Sequence, residues 1–383
     1  MGDLKVTVLS KEFPPDIYGG AGVHVDYLTG ALRKLMDVEV RCFGSQSISE
    51  QGYIVRGYQA WQKLLDDNHL KSGKVLDPLS TDLAMVKEAI DSDVVHAHTW
   101  YTFWAGFLAK KLYDIPLVTT IHSLEPLRPW KEEQLGNGYY ISSWMEKMGI
   151  ENSDRVIAVS KEMKSDILKH YNVREDKIVE IYNGIDLKEY QEVNSSKALK
   201  KYNIKNDYIL FVGRISRQKG ILHLLNAIEY LPEDIDVVLC AGKADTEKLL
   251  KKVKEKVKTH KNIIWINEMI SRKEIIELYS QASVFVCPSI YEPFGIINLE
   301  AMACKTPVVA SSVGGIKEVV VNGETGFLIT AGAEKEMAEA IIKLLDNQNM
   351  RNKFGKAGRN RVEKHFSWDS IARQTKKLYE SLV

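Results

Sequence analysis

Short apolar runs alternate along the chain with longer stretches in which apolar residues recur at helical spacing. In the first half, Lys5 to Ser10, Val38 to Phe43, Val94 to Ala97, Leu117 to Thr120 and Arg155 to Val159 read as buried strands, and Ile178 to Tyr182 closes the series. Helical patterning fills Val23 to Leu35, Trp104 to Leu112 and Lys161 to Tyr171. Strands alternating with helices predict a parallel sheet covered on both faces. Periodicity lapses from Asn183 to Asp207, which reads as a linker, and the scheme then repeats. Strands are expected at Tyr208 to Val212, Val237 to Cys240, Ile263 to Ile266, Val284 to Cys287, Val308 to Ala310 and Gly326 to Ile329, with helices between them such as Lys248 to Lys258 and Ile297 to Ala303. After Phe366, Ser367 reads as the N-cap of an amphipathic helix with Ile371, Leu378 and Leu382 among its apolar positions. The expected fold class is α/β: two doubly wound, parallel-sheet, Rossmann-like domains facing a cleft, over 1–185 and 208–366, joined by 186–207.

Length and composition agree with two domains, since 383 residues exceed one ordinary core. Lys plus Arg number 52 against 51 Asp plus Glu, so no bulk positive field draws in nucleic acid or an anionic membrane surface. No apolar run approaches the roughly 18 residues that span a bilayer. Met1 to Lys5 runs into the first strand without the basic and apolar regions of a signal peptide. Cys42, Cys240, Cys287 and Cys304 are widely spaced and form no C-x-x-C pair, which suits reduced, buried thiols in a cytoplasmic protein. The Asn194-Ser195-Ser196 sequon reads accordingly as solvated linker.

Two stretches concentrate the chemistry. Arg214 and Lys219 lie between the strand ending at Val212 and the helix from Ile221. Glu292 and Glu300 flank a Pro-Phe-Gly turn and a helix start near Phe294 or Gly295. Ligands of doubly wound sheets bind beyond the carboxyl ends of the strands, and helix starts favour anions. Two cations suit a diphosphate, and two carboxylates suit sugar and ribose hydroxyls. Gly20-Ala21-Gly22-Val23-His24-Val25 comes near a dinucleotide fingerprint. The preceding loop is too long for it, however, and no acidic residue ends the strand Val38 to Phe43. Asp91-Ser92-Asp93 and Asp234-Ile235-Asp236 read as turns into strands and not as metal-binding D-x-D motifs.

Glu292-x7-Glu300, with the upstream Gly213-Arg214 and Lys219-Gly220, resembles the retaining glycosyltransferases of the GT-B fold, family 4. The likeness runs from Lys11-Glu12-Phe13-Pro14-Pro15 through Gly19-Gly20 to Phe366-Ser367-Trp368. The run from Lys11 to Val25 and the block His96 to Tyr101 are most similar to the short actinobacterial-type glycogen synthases, also described as α-maltose-1-phosphate synthases. The resemblance implies a hexosyltransferase moving glucose from a nucleotide-diphosphate glucose, ADP-glucose in first place, to the 4-hydroxyl of an α-1,4-glucan. The alternative acceptor is glucose 1-phosphate. It implies no cofactor and no metal, and leaves open whether the chain forms a homo-oligomer. It makes the first domain acceptor-binding, with helix 367–383 packed back on it, and the second domain the nucleotide-sugar carrier.

Residue by residue, the resemblance implies His122, Arg214, Lys219 and Glu292 as catalytic. Gly19, Gly20, Phe294, Gly295, Ile296, Ile297 and Glu300 join Arg214, Lys219 and Glu292 around the donor. His98, Trp100, Tyr101 and Asn183 fall to the acceptor, and Asp186 matches a family turn at the crossover. Longer glycogen synthases carry Lys-Thr before the paired glycines, whereas Ile17-Tyr18 stand here. Trp61, Trp130, Trp144, Tyr139 and Tyr140 are further candidates to stack on acceptor sugars, while Trp104 reads as core. The rival readings are a GT-B-like sugar-nucleotide epimerase and a non-catalytic carbohydrate-binding protein. Retention of Arg214, Lys219 and Glu292 together argues against the second.

Overall fold

The computed structural model describes residues 4–61, 75–242, 244–268 and 270–383. Met1 to Asp3, which open the stretch expected to lack a signal peptide, lie outside them. The chain divides into two compact units, Met1–Gly184 with Trp368–Val383, and Ile185–Ser367.

The first unit is built on an eight-stranded sheet in the order β3-β4-β2-β1-β5-β6-β7-β8. Its strands are β1 (Lys5–Ser10), β2 (Asp37–Phe43), β3 (Ser47–Glu50), β4 (Tyr53–Tyr58), β5 (Val94–His98), β6 (Leu117–Ile121), β7 (Arg155–Ala158) and β8 (Ile178–Glu180). β1 runs parallel to both neighbours, with Val6 opposite Val38 on one side and Val94 on the other. Both faces of β1 and β5 are covered, which explains their unbroken burial. The antiparallel edge strand β3 and its neighbour β4 lie outside the expected strands: all four residues of β3 are exposed, so it carries no burial pattern to read, and Arg56-Gly57 interrupts the apolar run of β4.

Helix Trp368–Glu380 belongs to this first unit. Trp368, Ile371, Ala372 and Tyr379 enter the same core as Val6, Val8, Leu28 and Val40. The Trp368 ring stacks on Tyr27, nearly coplanar with it, and Tyr379 shares a 2.6 Å hydrogen bond with His96 Nδ1. Gly184 is in close contact with the indole: a Cβ there would stand 2.6 Å from it.

The second unit carries a six-stranded, all-parallel sheet in the order β11-β10-β9-β12-β13-β14. These strands are β9 (Tyr208–Val212), β10 (Asp236–Cys240), β11 (Ile263–Ile266), β12 (Val284–Cys287), β13 (Val308–Ser311) and β14 (Gly326–Ile329). Residues 186–207 differ from the expected linker, because they are packed onto this unit. Tyr190, Ala198 and Ile204 are buried, Ala198 N donates to Glu277 Oε1 at 2.5 Å, and Arg359 Nη1 donates to Tyr190 O at 2.7 Å. Three well-separated apolar residues anchor the segment without producing a period.

All four cysteines are free and buried. Among the described residues no helix is long and apolar enough to cross a membrane. Because Trp368 fills space between Tyr27 and Gly184, Trp368→Ala is expected to destabilise the first unit by about 3–5 kcal/mol. Urea denaturation reads this directly, and a loss below about 1 kcal/mol would show that the terminal helix is not part of that core.

Candidate active site

In each sheet the winding reverses beside the first strand of its unit, between β1 and β5 and between β9 and β12. Successive crossovers leave such a seam in opposite directions, so a crevice opens beyond the carboxyl ends of its two strands. In the second unit the loops after β9 and β12 meet there. Ile290 N donates to Gln218 O at 2.9 Å, and Gly220 lies so close to Pro288 that a Cβ would stand 1.9 Å from its carbonyl oxygen. Gly220 also has φ +64°, so glycine is required on both counts.

These stitched loops bring Lys219 and Glu292 together. Lys219 Nζ donates to Glu292 Oε2 at 2.6 Å, and Ser289 Oγ donates to the same oxygen at 3.2 Å. The backbone of Glu292 is fixed as well, since its carbonyl accepts from Gly315 N at 3.1 Å. Burial acts most strongly on Lys219 and lowers its pKa, but the Glu292 carboxylate outweighs it and holds the ammonium above its ordinary value. Arg214 is near enough to oppose that charge, and its own Nη1 donates to Asp245 Oδ1 at 3.0 Å.

Glu300 is half-buried one helical stretch further on, accepting from Tyr190 OH at 3.1 Å and Tyr279 OH at 2.9 Å. Burial raises its carboxyl pKa and the two phenols hold it back. The helix between the acids begins at Ile296, with Gly295 as N-cap at φ +93°, so amides at the helix start lack intrahelical acceptors. Phe294 is buried edge-on against Phe366, leaving only its backbone for a ligand. Sequence reasoning missed Asp245, Ser289, Tyr190 and Tyr279. Ser289 alone carried a local signal, three residues before Glu292.

The first unit places a histidine cluster beside its own seam. His24 Nδ1 pairs with Asn183 Oδ1 at 2.5 Å, His98 Nδ1 with His122 Nε2 at 3.1 Å, and His96 Nε2 with Thr120 Oγ1 at 2.6 Å. Burial lowers the pKa of His24 to about 4 and of His96 to about 3, and drives His98 and His122 well below 6.5. Neutral imidazoles follow. Nitrogens of His24, His98 and His122 lie within 4.8 Å of one another, a spacing from which a metal ion could be held. Two of the nitrogens on these rings already bond to each other, and a third bonds to Asn183.

Several expectations for this unit change. His98, Trp100 and Asn183, expected at the acceptor, are buried, because their side chains complete the packing beneath the sheet's carboxyl edge. His122 and Tyr101 are half-buried. Gly19 N donates to Glu12 Oε2 at 2.9 Å, so that amide, expected to face a donor phosphate, is already engaged; Gly20 opens the helix Gly20–Leu32. Asp186 caps its own turn through Lys188 N at 2.8 Å. Trp104, expected in the core, is half-exposed beside the exposed Trp144, while Trp61 and Tyr140 are exposed.

The family described as Glycosyltransferase Family 4 matches residues 18–189, and Glycosyl transferases group 1 matches residues 194–361. An α-maltose-1-phosphate synthase of Mycolicibacterium smegmatis is 43% identical over 395 residues, spanning 99% of this chain and 100% of that protein. The chain is a family 4 glycosyltransferase. A glycogen synthase of Mycobacterium tuberculosis is 27% identical to the transferase, over 98% of this chain and 94% of its own. The GT-B fold is shared with sucrose-phosphate synthase from Thermosynechococcus elongatus, at TM-score 0.83, 25% identity and 99% coverage of both chains.

The neutral histidines of the transferase make stability depend on pH. Their folded pKa values lie below the ordinary 6.5, so the unfolded chain takes up protons that the folded chain refuses. Stability present above about pH 6.5 is therefore lost as pH falls toward the folded values. The unfolding midpoint should drop over this range, and less so in His24→Asn. An equal slope in that variant would remove His24 from the account.

Proposed function

We propose that this transferase moves glucose from a nucleotide-diphosphate glucose, ADP-glucose, to the 4-hydroxyl of glucose 1-phosphate with retention, forming α-maltose 1-phosphate. The observation that carries the chemistry is the 2.6 Å contact of Lys219 with Glu292 on stitched loops at the second unit's seam. A cation and a carboxylate held together there are poised to part around a donor. The ammonium takes the diphosphate, and the carboxylate takes sugar hydroxyls. The full-length 43% likeness supports glucose 1-phosphate as acceptor over the glucan suggested first by the sequence, since the likeness to the glycogen synthase is 27%.

The acceptor O4 attacks the anomeric carbon as the bond to the diphosphate breaks. Its proton passes to the departing phosphate oxygen on the same face, which preserves the α-configuration. Negative charge grows on the leaving group, where Arg214 and Lys219 each contribute about 1.5–3 kcal/mol through charge-assisted hydrogen bonds. To Glu300, held by the Tyr190 and Tyr279 phenols, we assign the ribose hydroxyls. To His122, neutral at physiological pH, we assign a hydrogen bond to the transferred sugar that adds no charge. The free, buried thiols suit a reducing cytoplasm, where we place the enzyme.

Incubation of ADP-glucose or UDP-glucose with glucose 1-phosphate, and separately with glycogen, is expected to yield maltose 1-phosphate from ADP-glucose and glucose 1-phosphate. Incorporation into glycogen alone would replace the acceptor. Arg214→Ala and Lys219→Ala should each lower kcat/KM at least about tenfold, equivalent to roughly 1.4 kcal/mol. Glu292→Gln should impair transfer while the fold persists. Wild-type turnover in all three variants would move the donor site elsewhere.

A further inference from the structure

The first unit's seam, between β1 and β5, holds a charged group that the proposed donor chemistry does not use. Lys11 is the first residue beyond β1, and Tyr101 lies in the first turn of helix Trp100–Tyr113, which follows β5. Lys11 Nζ sits 3.7 Å from the centroid of the Tyr101 ring, and Tyr101 is itself stacked with Trp100 at 3.8 Å between centroids. Glu12 and Asp77 act on the ammonium through space, and among the described residues no carboxylate comes within ion-pair distance of it. Glu12 Oε2 is already engaged by the amides of Tyr18 and Gly19, at 2.8 and 2.9 Å.

Lys11 is half-buried, and loss of hydration lowers the pKa of its ammonium. A ring face returns only part of that lost solvation. An anion would return more. The adjacent helix start adds the same sign of field, since its first turn holds no acidic residue and its cap makes no side-chain hydrogen bond.

We infer that Lys11 and Tyr101 form the subsite for the phosphate of the acceptor sugar, and so select glucose 1-phosphate over an uncharged glucan end. This rests on the acceptor reading proposed above. The donor diphosphate is the other anion in that reaction, but Arg214 and Lys219 supply its cations in the second unit. A neutral acceptor leaves Lys11 only the Tyr101 ring, whereas a sugar phosphate brings a dianion to a partly desolvated cation at this seam.

The test compares wild type, Lys11→Met and Lys11→Arg with ADP-glucose as donor, and either glucose 1-phosphate or glucose, which lacks only the phosphate, as acceptor. A thermal melt establishes folding, and Lys11→Gln serves if Lys11→Met does not fold. Lys11→Met should raise the KM for glucose 1-phosphate about 10- to 100-fold, and reduce its preference over glucose by a similar factor. Lys11→Arg should recover most of both. An unchanged preference in Lys11→Met, or an effect confined to the KM for ADP-glucose, overturns the subsite and leaves the acceptor reading intact. A wild-type enzyme that forms no maltose 1-phosphate overturns both.

Discussion

A parallel sheet that starts at an interior strand and winds outward in both directions opens along the line where the winding turns. The chemistry read from this chain depends on that constraint. In the second unit it gathers the loops after β9 and β12, and the hydrogen bond from Ile290 to Gln218 with the close approach at Gly220 holds them in register. In the first unit it sets Lys11 beside Tyr101, with His98 and His122 at the ends of the next strands. No candidate group has to be carried by a long excursion. Each needs only to be the next few residues after a strand.

The same constraint makes the position of the candidate charged residues legible in the chain. Arg214, Lys219 and Glu292 sit in short loops immediately downstream of recognisable apolar strands, so their place follows from the strands themselves. Glu300 was found by its spacing from Glu292, but the phenols of Tyr190 and Tyr279 that hold it come from distant segments without any shared local pattern. The segment 186–207 failed as a linker for the same reason: Tyr190, Ala198 and Ile204 are each buried by a different partner surface. Local patterning recovers all six strands of the second sheet and six of the eight in the first, missing the edge pair β3 and β4. It does not report which isolated side chain is held by a residue a hundred positions away.

Burial accounts for the remaining differences in the first unit. A histidine or tryptophan at a strand end looks equally suited to touching a sugar or to closing the core, and only packing distinguishes the two. His98, Trp100 and Asn183 close the core, and Asn183 fixes the ring of His24. His98 in turn bonds the ring of His122, and burial keeps both imidazoles neutral. Glu12 acts similarly on the glycine loop, where one carboxylate oxygen gathers two successive amides and sets the entry to the following helix.

The helix Trp368–Glu380 completes a core whose other members lie before residue 185, while the second unit is continuous from Ile185 to Ser367. During synthesis the first half therefore cannot complete its core until the whole of the second has been made. The later-made half has all its strands available while the earlier-made half still shows the bare apolar surface that Trp368, Ile371 and Tyr379 will cover.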